Sequence, residues 1–192
     1  MLERLTADDL RALVRGYAEI LAVHREAINR LNVYPVPDGD TGTNMSLTMA
    51  SVVTEVEGAA PDMASVCQAI SHGSLMGARG NSGVILSQIL RGLCEVFREV
   101  DDLEPATVAA ALDRAATAAY GAVMKPVEGT ILTVVRAVAD GVADAVADGA
   151  GLVAALEAGR RRGADALART PELLPVLAEA GVVDSGGTGL ML

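Results

Sequence analysis

Aromatic side chains are nearly missing from this chain: it has no tryptophan, one phenylalanine and three tyrosines among 192 residues. Basic residues are also scarce, 15 Lys and Arg against 25 Asp and Glu, for a net charge of −10. A nucleic-acid binder needs a basic face and stacking aromatics, and this chain supplies neither. A nucleotide partner stays open, because a metal ion can offset phosphate charge. Cysteine is limited to Cys67 and Cys94, too few for a disulfide framework or a metal knot. Both read as buried thiols of a cytoplasmic protein. Every long apolar run is broken by a charge or a glycine before 18 residues, so no membrane-spanning helix is expected. The first nine residues do not have the basic-then-apolar layout of a signal peptide. Strand-length alternation bounded by hairpin turns is absent as well.

What is present is a chain 51% hydrophobic, long enough to bury a full core as one domain spanning 1–192. Helical periodicity dominates it. Thr6 is a candidate N-cap, and Leu10, Leu13, Val14, Tyr17, Leu21, His24, Ile28 and Leu31 form an apolar stripe on a first helix. On that stripe His24 reads as a hydrogen-bonded core histidine, since no second His or Cys lies one turn away. Further helices are expected from Thr43 to Gly58, from Pro61 through Ile70, after Gly83 to Phe97, and from Pro105 to Lys125. Three more follow: one beginning at Gly129 and Thr130, one from Leu152 to Leu167, and one from Pro171 to Ala180. Asp140, Asp144 and Asp148 read as a solvated face, and the Arg160 to Arg162 triplet as an exposed patch. Eight helices with short connections predict an all-α antiparallel bundle or helical barrel. Glycines within the predicted helices, such as Gly16, Gly92 and Gly141, lower helix propensity and are explicable where helices pack closely.

The chemistry concentrates in loops. Between Asn32 and Asn44 the periodicity stops, two prolines fix the backbone, and Asp38 and Asp40 sit one glycine apart, followed by Thr41, Thr43 and Asn44. Such a density of oxygen donors suits a loop around Mg²⁺ or Ca²⁺, and the lack of a Cys/His cluster argues against zinc; an ordinary connector uses the same turn residues. The helix start that follows supplies free backbone N–H groups, so metal ligands and an anion site lie side by side. A second loop, Gly77 to Gly83 (GARGNSG), leads into an apolar helix; it is either a phosphate cradle or a flexible turn with Ser82 as a cap. A third cluster, Gly181 to Gly189, contains Asp184, Ser185 and Thr188.

Familiar motifs fail on these loops in specific ways. Gly181 to Gly186 has P-loop spacing, yet Gly187 and Thr188 stand where Lys and Ser/Thr are required. An EF-hand opening at Asp38 would need its glycine one residue after Gly42 and a Glu where Met49 stands. A haloacid-dehalogenase phosphotransfer motif needs a buried strand before Asp38, which the two prolines preclude.

The run from Asn32 to Met45 (NVYPVPDGDTGTNM) closely resembles the N-terminal nucleotide-binding domain of the kinase component of bacterial fatty acid kinases, which is related to the L domain of dihydroxyacetone kinases. The resemblance continues at 77–83, at Lys125 to Thr130 (KPVEGT) and at Val183 to Gly189 (VDSGGTG), four ordered motifs across nearly the whole chain. It implies an eight-helix barrel that binds Mg²⁺ with ATP or ADP through loops at one end, in the N-terminal part of a longer protein. By similarity, Asp38 and Asp40 hold the metal and carry the catalysis. Thr43, Asn44, Asn81 and Ser82 contact the phosphates, Thr41, Arg79 and Gly80 also belong to the nucleotide site, and Gly129, Thr130, Asp184 and Ser185 lie near the base and sugar. The related L domains have a third metal-binding aspartate upstream of the pair. Asn32 stands there in this chain, with one extra residue between, so either a neutral amide replaces that ligand or the metal takes more water and phosphate oxygen. The implied reaction is phosphoryl transfer to the carboxylate of a fatty acid on a separate carrier protein, giving an acyl phosphate. The alternatives are the ATP-binding domain of a dihydroxyacetone-type kinase and a non-catalytic Mg-nucleotide module.

Overall fold

Thr6 and Asp9 start the first helix with reciprocal bonds: the Asp9 amide donates to Thr6 Oγ1, and the Asp9 carboxylate accepts from the Thr6 amide at 2.9 Å. In the computed structural model, which describes residues 2–192, that helix is α1 (Ala7–Arg30). It is followed by α2 (Thr41–Glu57), α3 (Met63–Gly77), α4 (Gly80–Phe97), α5 (Pro105–Gly121), α6 (Ile131–Ala147) and α7 (Leu152–Ala168). Three short helices complete the chain: α8 (Thr170–Leu173), α9 (Pro175–Ala180) and α10 (Ser185–Leu190). The fold is all-α. The one extended pairing among the described residues is a bridge between Leu5 and Leu103.

Ten helices stand where eight are expected, for two local reasons. The predicted eighth helix is split because Pro175 disfavours helical geometry at the residue before it, and Leu174 adopts φ −126°, ψ 99°. The third glycine cluster winds into α10, capped by the Asp184 carboxylate, which accepts from the Gly187 amide at 2.6 Å. α3 also runs seven residues past Ile70, through His72 and Gly73. Gly73 and Gly77 form its face on α2, where an added Cβ would stand 2.9 Å from the Ser51 carbonyl oxygen and 2.3 Å from Ser51 Cβ respectively.

The buried face of α1 is narrower than its stripe predicts. Only Ala7, Val14, Leu21 and Ile28 are buried, one every seven residues. Leu13 is 54% exposed and His24 lies on the solvent side, so His24 is not a core histidine. Met45, Met49, Val52 and Val56 of α2, Leu86 and Ile89 of α4, and Val135 and Val142 of α6 fill the interior. Each such side chain contributes about 1.5–3 kcal/mol when fully buried. Cys67 and Cys94 are buried free thiols. On the outer surface Arg136 pairs with Asp140 at 3.9 Å, Arg162 pairs with Asp144, and Asp148 is exposed, so the aspartate stripe is a solvated face with two of its three acids matched by arginine. No helix among the described residues is long and apolar enough to cross a membrane.

Each long helix packs on the next in sequence through short connections, so the chain alternates direction. The α1–α2, α3–α4 and α5–α6 connections therefore gather at one end. The α2–α3 and α4–α5 connections gather at the other, where Asp62 and Asp101 border a small cleft beside the start of α1. Ring closure falls to α10, which packs against α1, α2 and α6 and accepts a hydrogen bond from Tyr17 Oη at the Gly189 carbonyl, 2.9 Å.

Candidate functional site

Asn32 organises the aspartate loop. It is buried, and its Oδ1 accepts from the Asp40 amide (3.2 Å), the Thr41 amide (3.1 Å) and Thr41 Oγ1 (2.8 Å), while its Nδ2 donates to the Val36 carbonyl (2.8 Å). One side chain thus fixes both ends of the turn and satisfies the amides of the N-cap and of the first residue of α2. Asp38 and Asp40 are left over: neither carboxylate is hydrogen-bonded to a described residue, although Asp40 occupies the N-cap position of α2. Thr43 turns the other way, exchanging bonds of 3.0 Å with Asn29 on α1.

The second loop is shorter than its sequence implies, because α3 and α4 absorb most of it and leave only Ala78 and Arg79 between them. Thr48 stitches it to α2, donating to the Asn44 carbonyl (2.8 Å) and accepting from the Arg79 amide (3.3 Å). Gly80 has φ +58°, and a Cβ there would lie 2.2 Å from Asn44 Nδ2. Only glycine lets the two loops meet this closely. No side chain caps α4, so its first amides are open to a ligand. Arg79 points away, its guanidinium donating to the Met76 and Ala78 carbonyls at the end of α3.

Asp184 and Ser185 come in from the far end of the chain. Ser185 Oγ donates to Thr41 Oγ1 at 3.1 Å, extending the Asn32 bonds into a buried chain that joins the starts of α2 and α10. The Asp184 carboxyl is pushed up to about 6 by burial, against the opposing pull of hydrogen bonds from the Gly187 and Ile131 backbones. Thr130 caps α6. Gly129, with φ +81°, is buried against Leu174 and Thr170 rather than facing the ligand space.

These pieces enclose a cavity of about 560 Å³. Asn32, Asp38, Asp40, Thr41, Asn44, Gly80, Asn81, Ser82, Thr130, Asp184 and Ser185 all line it; Thr43, Arg79 and Gly129 do not. The starts of α2, α4, α6 and α10 all open onto it, directing four positive dipole ends at one space. Its apolar wall includes Tyr34, which lies within the aspartate-loop motif, and Val84, Ile85, Val123 and Leu132, which no motif singles out because such apolar residues look like core. Lys125 lines the cavity too; its motif marks the loop but not the side chain.

The donor set suits a hard cation. It consists of oxygens, two of them on unengaged carboxylates at a helix start. No cluster of three or more His, Cys, Asp or Glu side chains able to hold a metal occurs among the described residues. Two carboxylates alone would leave most of a hard cation's shell to water or to ligand oxygens. The amide oxygen of Asn32 already accepts three hydrogen bonds, which makes it a brace for the loop.

The all-helical fold thus brings four helix starts and a pair of free aspartates to one cavity, and similarity to known proteins gives its family. The chain belongs to the DAK2 domain family, whose model matches residues 35–192. It is 49% identical over 180 residues to the protein YloV of Bacillus subtilis, a match covering 93% of this chain and 32% of YloV. It is 45% identical over 180 residues to an uncharacterised protein of Staphylococcus aureus strain USA300, covering 93% of this chain and 33% of that protein. The chain thus spans about a third of the length of these relatives.

Proposed function

We propose that this dihydroxyacetone kinase-like domain binds an adenine nucleotide with magnesium in the 560 Å³ cavity and presents its terminal phosphoryl group to an acceptor brought by another domain or protein. The observation that carries the reading is the meeting of two unengaged carboxylates with the uncapped start of α4. Asp38 and Asp40 would hold the metal, and the amides at Gly80 to Ser82 would take phosphate oxygens. Magnesium, when bound, supplies charge neutralisation at the phosphates. The apolar wall offers a surface for the base, and Asn32 keeps the aspartates in place.

The acceptor we propose is the carboxylate of a carrier-bound fatty acid. In that transfer the bond from the γ-phosphorus to the bridging oxygen of ADP breaks, and a bond from phosphorus to the carboxylate oxygen forms, giving an acyl phosphate. No proton has to be removed, because a carboxylate is already ionised at neutral pH. A hydroxyl acceptor such as dihydroxyacetone would need that step.

Isothermal titration of the chain with Mg-ATP tests the nucleotide site. Binding should be saturable and magnesium-dependent, and Asp38→Ala or Asp40→Ala should weaken it at least about tenfold, the scale of one charge-assisted contact. Both variants should melt close to the parent, since Asp38 is exposed and the half-buried Asp40 makes no cap hydrogen bond to lose, and such substitutions change stability by about 0.5 kcal/mol or less. Unaltered Mg-ATP binding by either variant would sink the metal assignment.

A further inference from the structure

We infer that Lys125 is a phosphate-binding residue of this site: its ammonium group, carried on the α5–α6 loop, engages the nucleotide's polyphosphate as the cation that the two aspartates and their metal leave wanting. The inference rests on the Mg-nucleotide reading above.

Charge calls for such a group. The ionisable groups lining the cavity are Asp38, Asp40, Asp184 and Lys125, with the phenol of Tyr34. A divalent ion held by two carboxylates brings no net charge to the site, so the phosphates stay uncompensated. Helix starts supply only partial charges, about half a unit each. Phosphoryl transfer depends on neutralising charge at the phosphates, and acidic groups in the lining work against it. Arg79, the nearest arginine in sequence to the α4 start, spends its guanidinium on the end of α3 and does not line the cavity. Lys125 is the one basic residue in the lining.

Lys125 is also uncommitted. It is the only lysine in the chain. Every ion pair among the described residues uses an arginine or His72, and Lys125 takes part in none, in a protein with a large acidic excess. An ammonium on a flexible stem is a compact point charge suited to phosphate rather than to a planar fork.

The loop that holds it is fixed. Tyr120 Oη donates to Glu128 Oε1 at 2.9 Å across the loop, and Thr133 Oγ1 donates to the same carboxylate at 2.5 Å. The Gly129 amide donates to Thr133 Oγ1 (2.8 Å), and Thr130 Oγ1 donates to the Val127 carbonyl (2.8 Å). Pro126 restricts the backbone directly after Lys125. Val123 and Val127, on either side, line the cavity wall. The loop is thus anchored at both ends, with its single cation at the cavity.

The test uses Lys125→Met, which keeps the length of the stem and removes the charge, and Lys125→Arg, which keeps the charge. Titration calorimetry of the full chain with Mg-ATP, Mg-ADP and adenosine reads the affinity for charged and uncharged ligands separately. Lys125→Met should weaken Mg-ATP and Mg-ADP at least about tenfold, as expected for a charged hydrogen bond, and leave adenosine within about twofold. Lys125→Arg should recover most of the loss. Mg-ATP affinity unchanged in Lys125→Met would overturn the assignment while leaving the nucleotide site standing. An equal loss for adenosine would also overturn it, since that pattern belongs to a packing role. If the parent chain binds no Mg-nucleotide at all, the function proposed above fails and this inference fails with it.

Discussion

Burial sets the behaviour of Asp184. Its carboxyl is 5% exposed and is pushed up to about 6, because loss of water outweighs the hydrogen bonds from the Gly187 and Ile131 backbones. In the unfolded chain the same group titrates near 3.8. The protonated form is therefore favoured by folding, so its contribution is fully present below about pH 4 and is lost as the pH rises through 6. A shift of this size corresponds to about 3 kcal/mol. Asp184→Asn keeps an oxygen for the α10 cap and removes the titration. Urea unfolding should show the Asn variant gaining about 3 kcal/mol on the parent between pH 4 and pH 7. Parallel pH profiles would mean that Asp184 is better hydrated than its position indicates. At this scale the sequence is uneven in what it reveals. Asp38 and Asp40 stand out because a packed core has no use for two adjacent unpaired acids. Asn32 stands out only by comparison with an aspartate, and its work as a brace depends on Thr41, nine residues on. His24 is misread because seven-residue spacing, not the full helical stripe, decides what α1 buries.

Among elements, glycine separates contacts that are built from contacts that are incidental. A Cβ on Gly92 of α4 would stand 2.6 Å from Ala115 Cα on α5, whereas one on Gly16 of α1 would meet nothing within 4 Å. Gly92→Ala should therefore destabilise by about 1–3 kcal/mol, the usual penalty for overpacking. Gly16→Ala should stabilise by about 0.5–1 kcal/mol through the propensity of a helix interior. Denaturant midpoints of the two variants should move in opposite directions, and a shift of both the same way would contradict the packing described for α4 and α5. The long helices are legible because period 3.6 persists over many residues in each. Their ends near the site are not. α3 extends to Gly77 and α4 begins at Gly80 because Gly77, Gly80 and Gly83 serve close approach to α2, which in sequence looks the same as a loop. α10 is hidden for a related reason: four glycines in its vicinity argue against a helix, and only docking on α1, α2 and α6 supplies what propensity lacks.

For the whole molecule, the bundle collects its odd-to-even connections at one end, and the four motifs are legible as one site only because each sits at such a connection or at α10. What the motifs do not reveal is the apolar wall and the lysine opposite the acids in charge. The chain spans about a third of its relatives' length, and the lining contains no second group of polar residues arranged for an acceptor. We expect it to bind Mg-nucleotide yet turn over slowly by itself, because alignment of an acceptor with the γ-phosphorus must come from elsewhere. ATP consumption with a fatty-acid-loaded carrier should rise sharply for a chain extended past Leu192; equal and substantial turnover by both would place the acceptor site within these residues. The hydrogen bond from Ser185 to Thr41 gives the molecule a timetable. Its two ends are 144 residues apart, so a ribosome adding about 5–20 residues per second makes the aspartate loop roughly seven to thirty seconds before its partner emerges. Nascent chains consequently pass through most of synthesis with the Asp184–Ser185 side of the cavity still missing.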